Sequence, residues 1–163
     1  MVHLIKLLSR STHDTMQIGE KLGADLAPGD AVALTGVLGS GKSVLARGIL
    51  RALGVTGEIP SPSYIIVASY EARLPANHID LYRLEGPDEA VGIGIEDYLY
   101  SGSVNVIEWA EKIGDLLPPS RVDITIDVRK EPDERLITIR PADDDMKARL
   151  TGLAGQLIFM EGQ

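Results

Sequence analysis

Gly-Val-Leu-Gly-Ser-Gly-Lys-Ser, at residues 36–43, is a complete G-x-x-x-x-G-K-[ST] pattern. It directly follows the apolar run at residues 31–34 and precedes residues 44–53, which are predicted to form a helix. A strand, a glycine-rich turn and a helix in this order form a loop whose backbone N–H groups converge on phosphate oxygens, beside the positive end of the helix dipole. The sequence therefore predicts that this chain binds a nucleotide.

Two side chains at the end of this loop have predicted roles in binding. Lys42 supplies a point charge that can reach the β and γ phosphates, and the Ser43 hydroxyl is a predicted ligand of Mg²⁺. A nucleotide and Mg²⁺ are therefore the predicted ligands of this loop, with ATP preferred to GTP because the chain contains no Asn-Lys-x-Asp segment of the kind that reads guanine. The remaining predicted contacts to the nucleotide within the loop are Gly36, Val37, Leu38, Gly39, Ser40 and Gly41.

The composition indicates a folded protein with one hydrophobic core. The 163 residues are 44% hydrophobic and 25% charged, which predicts one soluble domain over residues 1–163. The phosphate loop within it is the reason for interpreting this as a single P-loop ATPase domain. The net charge of −8 opposes nonspecific binding to nucleic acids and anionic membranes, so any role with nucleic acids is expected to be indirect. The absence of cysteine and of a long apolar segment predicts a cytoplasmic protein with no membrane contact.

Alternating strand and helix patterns around the loop predict an α/β chain with the three-layer P-loop NTPase fold. The expected sheet is mainly parallel, with an antiparallel hairpin at residues 122–128 and 136–139. Nucleotide is expected at the carboxyl ends of the parallel strands. Further strands are predicted at residues 3–8, 31–34, 65–70, 78–81 and 104–108, and helices at 12–26, 44–53, parts of 86–102, and 143–160.

Two acidic residues follow predicted strands and are candidates for the catalytic carboxylates. Glu108 ends the apolar run at residues 104–107, so its side chain is predicted to emerge beside the phosphate loop, as the acid of a Walker B strand does. Asp80 follows His78 and Ile79, which form a weaker strand. Either acid taken alone is equally consistent with an ordinary surface or capping residue. His78 is interpreted as a hydrogen-bonding residue at the end of a strand.

Two further features are candidates for contacts to the nucleotide. Ser61 and Ser63 lie on a segment stiffened by two prolines, which could reach the γ-phosphate as a switch loop does or could be a plain turn. Trp109, the one tryptophan, could pack against the nucleotide, present a surface to a partner, or belong to the core.

Five short motifs in order resemble those of the TsaE (YjeE) family, small bacterial ATPases required to make threonylcarbamoyladenosine in tRNA. The resemblance extends from about residue 9 to residue 126, which is most of the chain. The motifs are G-x-L-G-x-G-K-S at 36–43, S-P-S-Y at 61–64, H-x-D-L-Y-R-L at 78–84, G-I-E-D-Y at 94–98 and I-E-W at 107–109.

The resemblance implies an ATPase that works with the TsaB and TsaD proteins and resets the TsaD-containing synthase between turnovers. Matching positions imply that Lys42 binds phosphate, that Ser43 and Glu108 are Mg²⁺ ligands, and that Asp80 is needed for hydrolysis or coupling. Trp109 also falls on a family motif position. Ser63 stands where the family usually has threonine, which keeps the hydroxyl. Val37 stands where the family usually has an acid, which leaves one charge fewer beside the phosphates.

Two other functions are consistent with a phosphate loop. A small-molecule kinase usually brings lid arginines to the transferred phosphoryl group, but residues 86–102, where a lid could lie, are acidic and contain no arginine or lysine. Arg73 and Arg83 lie nearby in sequence, so this function stays open as the alternative. A GTP-dependent switch normally reads guanine through an Asn-Lys-x-Asp segment, which this chain does not contain. ATP is therefore preferred to GTP.

Overall fold

A seven-stranded mixed sheet lies at the centre of the structure. The structure, a computed structural model, describes residues 4–157, with side chains described for residues 4–151. The strands are β1 (Ile5–Ser9), β2 (Ala31–Thr35), β3 (Val67–Tyr70), β4 (Ala76–Asp80), β5 (Val104–Glu108), β6 (Arg121–Val128) and β7 (Arg135–Pro141). The helices are α1 (Thr12–Ala24), α2 (Lys42–Ala52), α3 (Pro87–Gly92), α4 (Ile95–Leu99) and α5 (Asp144–Leu157), with short 3-10 turns at Ala110–Lys112 and Gly114–Leu116.

The central strands of the sheet are parallel and its edges are antiparallel. The strand order is β1-β7-β6-β2-β5-β4-β3, and β6, β2, β5 and β4 run parallel. β7 is antiparallel to β6, β1 is antiparallel to β7, and β3 is antiparallel to β4. The predicted mainly parallel sheet with a C-terminal hairpin is confirmed. The first strand begins at Ile5, and residue 3, with which its predicted range began, lies outside the described residues.

Helices cover both faces of the sheet, because the central strands are apolar on both sides. Val32 and Leu34 face the hydrophobic cluster that includes α1, α2 and α5, whereas Ala31 and Ala33 belong to the cluster with α3 and α4. Continuous apolar runs of this kind are typical of parallel strands buried on both faces. The three-layer arrangement predicted from the sequence is therefore present.

The helices α1 and α2 pack backbone against backbone through glycines. A Cβ atom on Gly48 would lie 2.3 Å from the carbonyl oxygen of Met16, and one on Gly19 would lie 2.5 Å from that of Leu45. On α1, Leu22 is buried and Met16 is half-buried. This close approach holds α2 in place, and α2 begins at the phosphate loop.

The C-terminal helix is tied to the start of β2 by a buried acid. Asp30 is 3% exposed and accepts a hydrogen bond of 3.0 Å from Nη2 of Arg149 on α5. The hydrogen bond to Asp30 raises the pKa of Arg149 above its usual range. Met146 and Leu150 on the same helix are buried. The sequence predicts this helix over residues 143–160. Residues 158–160 lie outside the described part of the chain, as do the side chains of Leu153 and Leu157.

No helix within residues 4–157 is long and apolar enough to cross a membrane.

The contact between α1 and α2 predicts a large effect of one methyl group. We expect Gly48→Ala to lower the free energy of unfolding by about 1–3 kcal/mol, because the added Cβ must push the two helices apart. Gly92→Ala is the matched control: Gly92 ends α3, a Cβ added there would meet no heavy atom of the described residues within 4 Å, and its backbone is not left-handed. This control should leave stability unchanged or raise it by up to about 1 kcal/mol. Urea unfolding of both variants measures the difference, and equal stabilities would contradict the packing argument.

Candidate nucleotide-binding site

The phosphate loop connects β2 to α2 in a conformation that requires glycine. Gly41 precedes the first residue of α2 with φ of 110°, a left-handed backbone that a side chain would strain. The helix then begins at Lys42, and the N–H of Leu45 donates to the carbonyl of Gly41 at 3.0 Å. The unpaired N–H groups of the first helical turn therefore lie at the loop, where an anion is favoured.

A cavity of about 620 Å³ opens beside this loop, at the carboxyl ends of the parallel strands. This volume is in the range of small-molecule sites. The cavity brings together three features that are far apart in sequence: the phosphate loop, residues 61–63, which we call the serine segment, and the two predicted acids. It is lined by residues 38–44 together with Ser61, Ser63, Tyr64, Asp80, Tyr82, Arg83, Glu108 and Trp109.

Lys42 is held by the loop and by an aromatic ring. Its Nζ donates to the carbonyl oxygen of Gly36, and to that of Val37 at 3.0 Å. The same Nζ lies 4.0 Å from the centroid of the Trp109 ring, which is within cation–π range. Burial lowers the pKa of Lys42, while the negative charge of Glu108 opposes this shift. The phosphate groups of a nucleotide would oppose it further, so they are a suitable partner for this ammonium group.

Ser43 and Glu108 are in direct contact. The Ser43 hydroxyl donates to Oε1 of Glu108 at 2.8 Å, and Glu108 is 2% exposed. The parallel register pairs Leu34 of β2 with Glu108 of β5, so the acid lies next to the strand that leads into the loop. The two predicted metal ligands are therefore adjacent at the start of α2.

Asp80 lies on the other side of Glu108 in the sheet and contacts the serine segment. The strand register pairs Asp80 with Glu108. Oδ2 of Asp80 accepts hydrogen bonds from the hydroxyls of Ser63 at 3.1 Å and Ser61 at 3.5 Å, and Oδ1 accepts from the N–H of Tyr82 at 3.0 Å. Hydrogen bonds to both oxygens thus fix the orientation of the carboxylate. Two of these bonds come from the segment predicted as a switch loop.

Trp109 lines the cavity and has an unusual backbone. Its φ of 59° and ψ of 39° place a bulky residue in the left-handed region, which is a sign of local constraint. Its ring contacts that of Tyr82, with the centroids 5.1 Å apart. Lys112 stabilises the segment that carries Tyr82, because its Nζ donates to the carbonyls of Tyr82 at 2.6 Å and Leu84 at 2.8 Å. Trp109 therefore lies beside the predicted nucleotide site and also packs against the hydrophobic cluster with α3 and α4, so two of the three placements considered for it apply together.

Val37 and Gly36 differ from the other predicted loop contacts. Within the described residues, neither lines the 620 Å³ cavity, and both interact with Lys42 through their carbonyl oxygens. The Val37 side chain is 63% exposed. An acid at this position would therefore lie at the outer surface of the loop.

A family model described as "Threonylcarbamoyl adenosine biosynthesis protein TsaE" matches residues 9–137, which is more than half of the chain. This chain belongs to the TsaE family. The family takes part in the biosynthesis of threonylcarbamoyladenosine in tRNA and has a nucleotide-binding phosphate loop.

Individual TsaE proteins show the same relationship. The TsaE protein of Treponema pallidum is 36% identical over 124 residues, covering 76% of this chain and 92% of its own length. That of Bacillus subtilis is 36% identical over 135 residues, covering 82% and 84%. The crystal structure of Bacillus subtilis YdiB superposes with a TM-score of 0.80 at 29% identity, covering 96% of this chain and 97% of that one.

The residues present in this TsaE chain are suited to a metal ion bound together with a nucleotide. Within the part of the chain that the structure describes, no three His, Asp or Glu side chains form a cluster that could hold a metal alone. Ser43 and Glu108 offer two oxygen ligands at the phosphate loop. Mg²⁺ is usually bound by one or two such protein oxygens plus phosphate oxygens and waters, so this donor set is appropriate for it.

Several residues at the TsaE site were not identified as site residues from the sequence; Tyr64, Tyr82 and Arg83 line the cavity, and two more contact its predicted residues. His78 hydrogen bonds with Glu108, at 2.6 Å between Nε2 and Oε2, as expected of a hydrogen-bonding residue. It lies in the middle of β4 and not at the end of a strand, and its partner was missed. Arg135, on β7, donates through Nε to the carbonyl of Ser40 at 2.9 Å and through Nη2 to that of Gly39 at 3.4 Å. No local pattern marks Arg135, because its contact spans 95 residues.

The Arg135 contact predicts an effect on nucleotide affinity. We expect Arg135→Ala to weaken ADP binding by roughly tenfold, because the loop would no longer be held in the binding conformation. Arg140→Ala removes the same charge from the same strand at a position outside the 620 Å³ cavity, and should change the affinity less than about twofold. Isothermal titration calorimetry compares the two, and equal affinities for both variants would rule out a bracing role.

Proposed function

We propose that this protein is a Mg²⁺-dependent ATPase that acts in threonylcarbamoyladenosine modification of tRNA. The observation that carries the proposal is the 2.8 Å contact between Ser43 on the phosphate loop and Glu108 at the end of the neighbouring parallel strand. A phosphate loop alone binds nucleotides, whereas an acid beside its serine is what hydrolysis requires. When bound, Mg²⁺ neutralises charge on the phosphate oxygens.

The other cavity residues have complementary proposed roles. Lys42 binds the β and γ phosphates, and its buried ammonium stabilises the charge that develops on them during hydrolysis. Asp80 orients the attacking water, since its carboxylate lines the cavity and is already held by Tyr82 and the serine segment. Ser63 reports the state of the γ-phosphate through its hydrogen bond to Asp80. Trp109 packs beside Lys42 and the nucleotide.

We further propose that hydrolysis is coupled to the TsaB and TsaD proteins and resets the TsaD-containing synthase between turnovers. The family's role in this modification pathway supports a partner in the same pathway. Tyr64 and Ile65, which are 82% and 68% exposed, continue directly from the serine segment that contacts Asp80. A partner that covers them would change the position of this segment and thereby the rate of hydrolysis. The net charge of −8 supports contact with tRNA through the complex only. A cytoplasmic location follows from this role.

Reconstitution with TsaB, TsaD and tRNA tests the coupling. We expect Lys42→Ala to reduce ATP hydrolysis by roughly 100-fold or more, because the charge that binds the phosphates is lost. Modified nucleoside should then form in the first turnover but not in later ones. Lys130→Ala, at an exposed position between β6 and β7, removes the same charge and should leave both activities unchanged. Release of phosphate and formation of modified nucleoside are followed in the same reaction.

Repeated turnover by Lys42→Ala at the parental rate would contradict the proposed function. Rapid phosphorylation of a metabolite without TsaB or TsaD would instead support the small-molecule kinase. Arg83 is the residue that supports this alternative, because a kinase needs an arginine near the transferred phosphoryl group. It lines the cavity, and its guanidinium carbon lies 4.6 Å from the centre of the Tyr64 ring.

Substitution of Asp80 separates binding from hydrolysis. Asp80→Asn keeps the shape of the side chain and an oxygen that can accept from the Tyr82 N–H, but it removes the negative charge. We expect ATP affinity to stay within about threefold and hydrolysis to fall by roughly 100-fold. Ser63→Thr, which keeps the hydroxyl, is the control and should retain near-parental hydrolysis. Rates measured at saturating ATP, with affinities from calorimetry, distinguish these effects; undiminished hydrolysis by Asp80→Asn would exclude the proposed role.

A further inference from the structure

His78 and Glu108 form a buried pair between neighbouring strands. β4 and β5 are parallel, and their register places His78 two positions before the residue that pairs with Glu108. Nε2 of His78 lies 2.6 Å from Oε2 of Glu108, and the two side chains are 1% and 2% exposed. A buried carboxylate is costly unless polar groups pair with it, so this contact is part of what keeps Glu108 in the protein interior.

The two oxygens of Glu108 have different partners. Oε1 accepts from the Ser43 hydroxyl and Oε2 pairs with His78. Turning the carboxylate out of its present plane would break both contacts at once. The imidazole therefore fixes the plane of the carboxylate and keeps one of its oxygens directed at Ser43 and the phosphate loop.

The second ring nitrogen of His78 supports a role beyond packing. Nδ1 is buried and has no hydrogen-bond partner among the described residues. An unpaired buried nitrogen destabilises a fold, so an apolar side chain would serve a purely structural purpose better at this position of β4. The feature that an apolar side chain could not replace is the hydrogen bond to Glu108.

We propose that His78 is a positioning residue that orients Glu108 for metal binding at the phosphate loop. This inference rests on the proposed function, in which Glu108 and Ser43 are ligands of Mg²⁺. Residues that hydrogen bond to a metal-binding carboxylate typically change metal affinity or activity by roughly 10–100-fold when they are replaced. His78 acts through Glu108 and does not itself contact the metal or the nucleotide.

Binding of Mn²⁺ in the presence of ADP tests the inference without relying on hydrolysis. Free Mn²⁺ is counted by electron paramagnetic resonance, and ADP affinity without metal is measured by calorimetry. We expect His78→Phe to weaken Mn²⁺ binding by roughly 10–100-fold, with ADP affinity in the absence of metal changed less than about threefold. His78→Gln, whose amide N–H reaches about as far as Nε2, should restore Mn²⁺ affinity to within about threefold of the parent.

A second pair of variants keeps the test valid if His78→Phe does not fold. His78→Asn carries the same amide as His78→Gln but is too short to reach Glu108, so it should lose Mn²⁺ affinity as His78→Phe does. Asn77→Ala is the control for disturbing the same two strands, because it breaks a buried contact of 3.0 Å between Asn77 and Asn105. This control should bind Mn²⁺ like the parent.

A double-mutant cycle with Glu108→Gln identifies the path of the effect. If His78 acts through Glu108, His78→Phe should add less than about twofold to the loss in Mn²⁺ affinity already caused by Glu108→Gln. Parental Mn²⁺ affinity in both His78→Phe and His78→Asn, or a full additional loss in the Glu108→Gln background, would overturn the inference alone. Parental Mn²⁺ affinity in Glu108→Gln would overturn this inference together with the proposed metal site.

Discussion

The pairing of β2 with β5 in parallel register is the constraint on which the rest of the site depends. Register places Leu34 beside Glu108, so the strand that leads into the phosphate loop and the strand that carries the acid end at the same edge. Because side chains alternate between the two faces of a sheet, a shift of one residue would turn Glu108 to the opposite face. The apolar residues of both strands oppose that shift, since it would disrupt their packing on both faces. The packing of the core and the chemistry of the site are thus set by the same pairing.

One buried ammonium group and three carboxylates lie close together at the site. Burial lowers the pKa of Lys42, and Glu108, Glu111 and Asp80 counteract this effect with their negative charges. Those acids would repel the phosphates of a nucleotide if they were free to approach them. Each of the two cavity acids is instead held by hydroxyl groups: Glu108 by Ser43, and Asp80 by Ser63. The ammonium group of Lys42 therefore faces the phosphate loop, while Glu108 and Asp80 stay at defined positions beside it.

Local features of the sequence were sufficient to predict the loop and the parallel sheet. They made Asp80 and Glu108 candidates for the site, and the family resemblance decided in favour of both acids. Glycines at fixed spacing before a lysine, after a short apolar run, form the same kind of phosphate-binding loop in different proteins. An acid that ends a parallel strand lies at the carboxyl edge of the sheet, where ligands bind. Contacts between distant segments were not predictable in this way. The pairing of His78 with Glu108 depends on strand order, and the glycine contact between α1 and α2 depends on how two helices cross. Neither arrangement produces a pattern along a single segment.

The contact from Arg135 to the phosphate loop has a consequence for how the protein is made. The motif is complete once residue 43 has been synthesised, yet the arginine that contacts Ser40 comes 95 residues after that serine. β6, which lies beside β2 in the sheet, is also synthesised after β5. Chains emerge from the ribosome with the N-terminus first, so the loop can reach its final shape only near the end of translation. A chain released before β7 would contain every residue of the motif without the fold that shapes it.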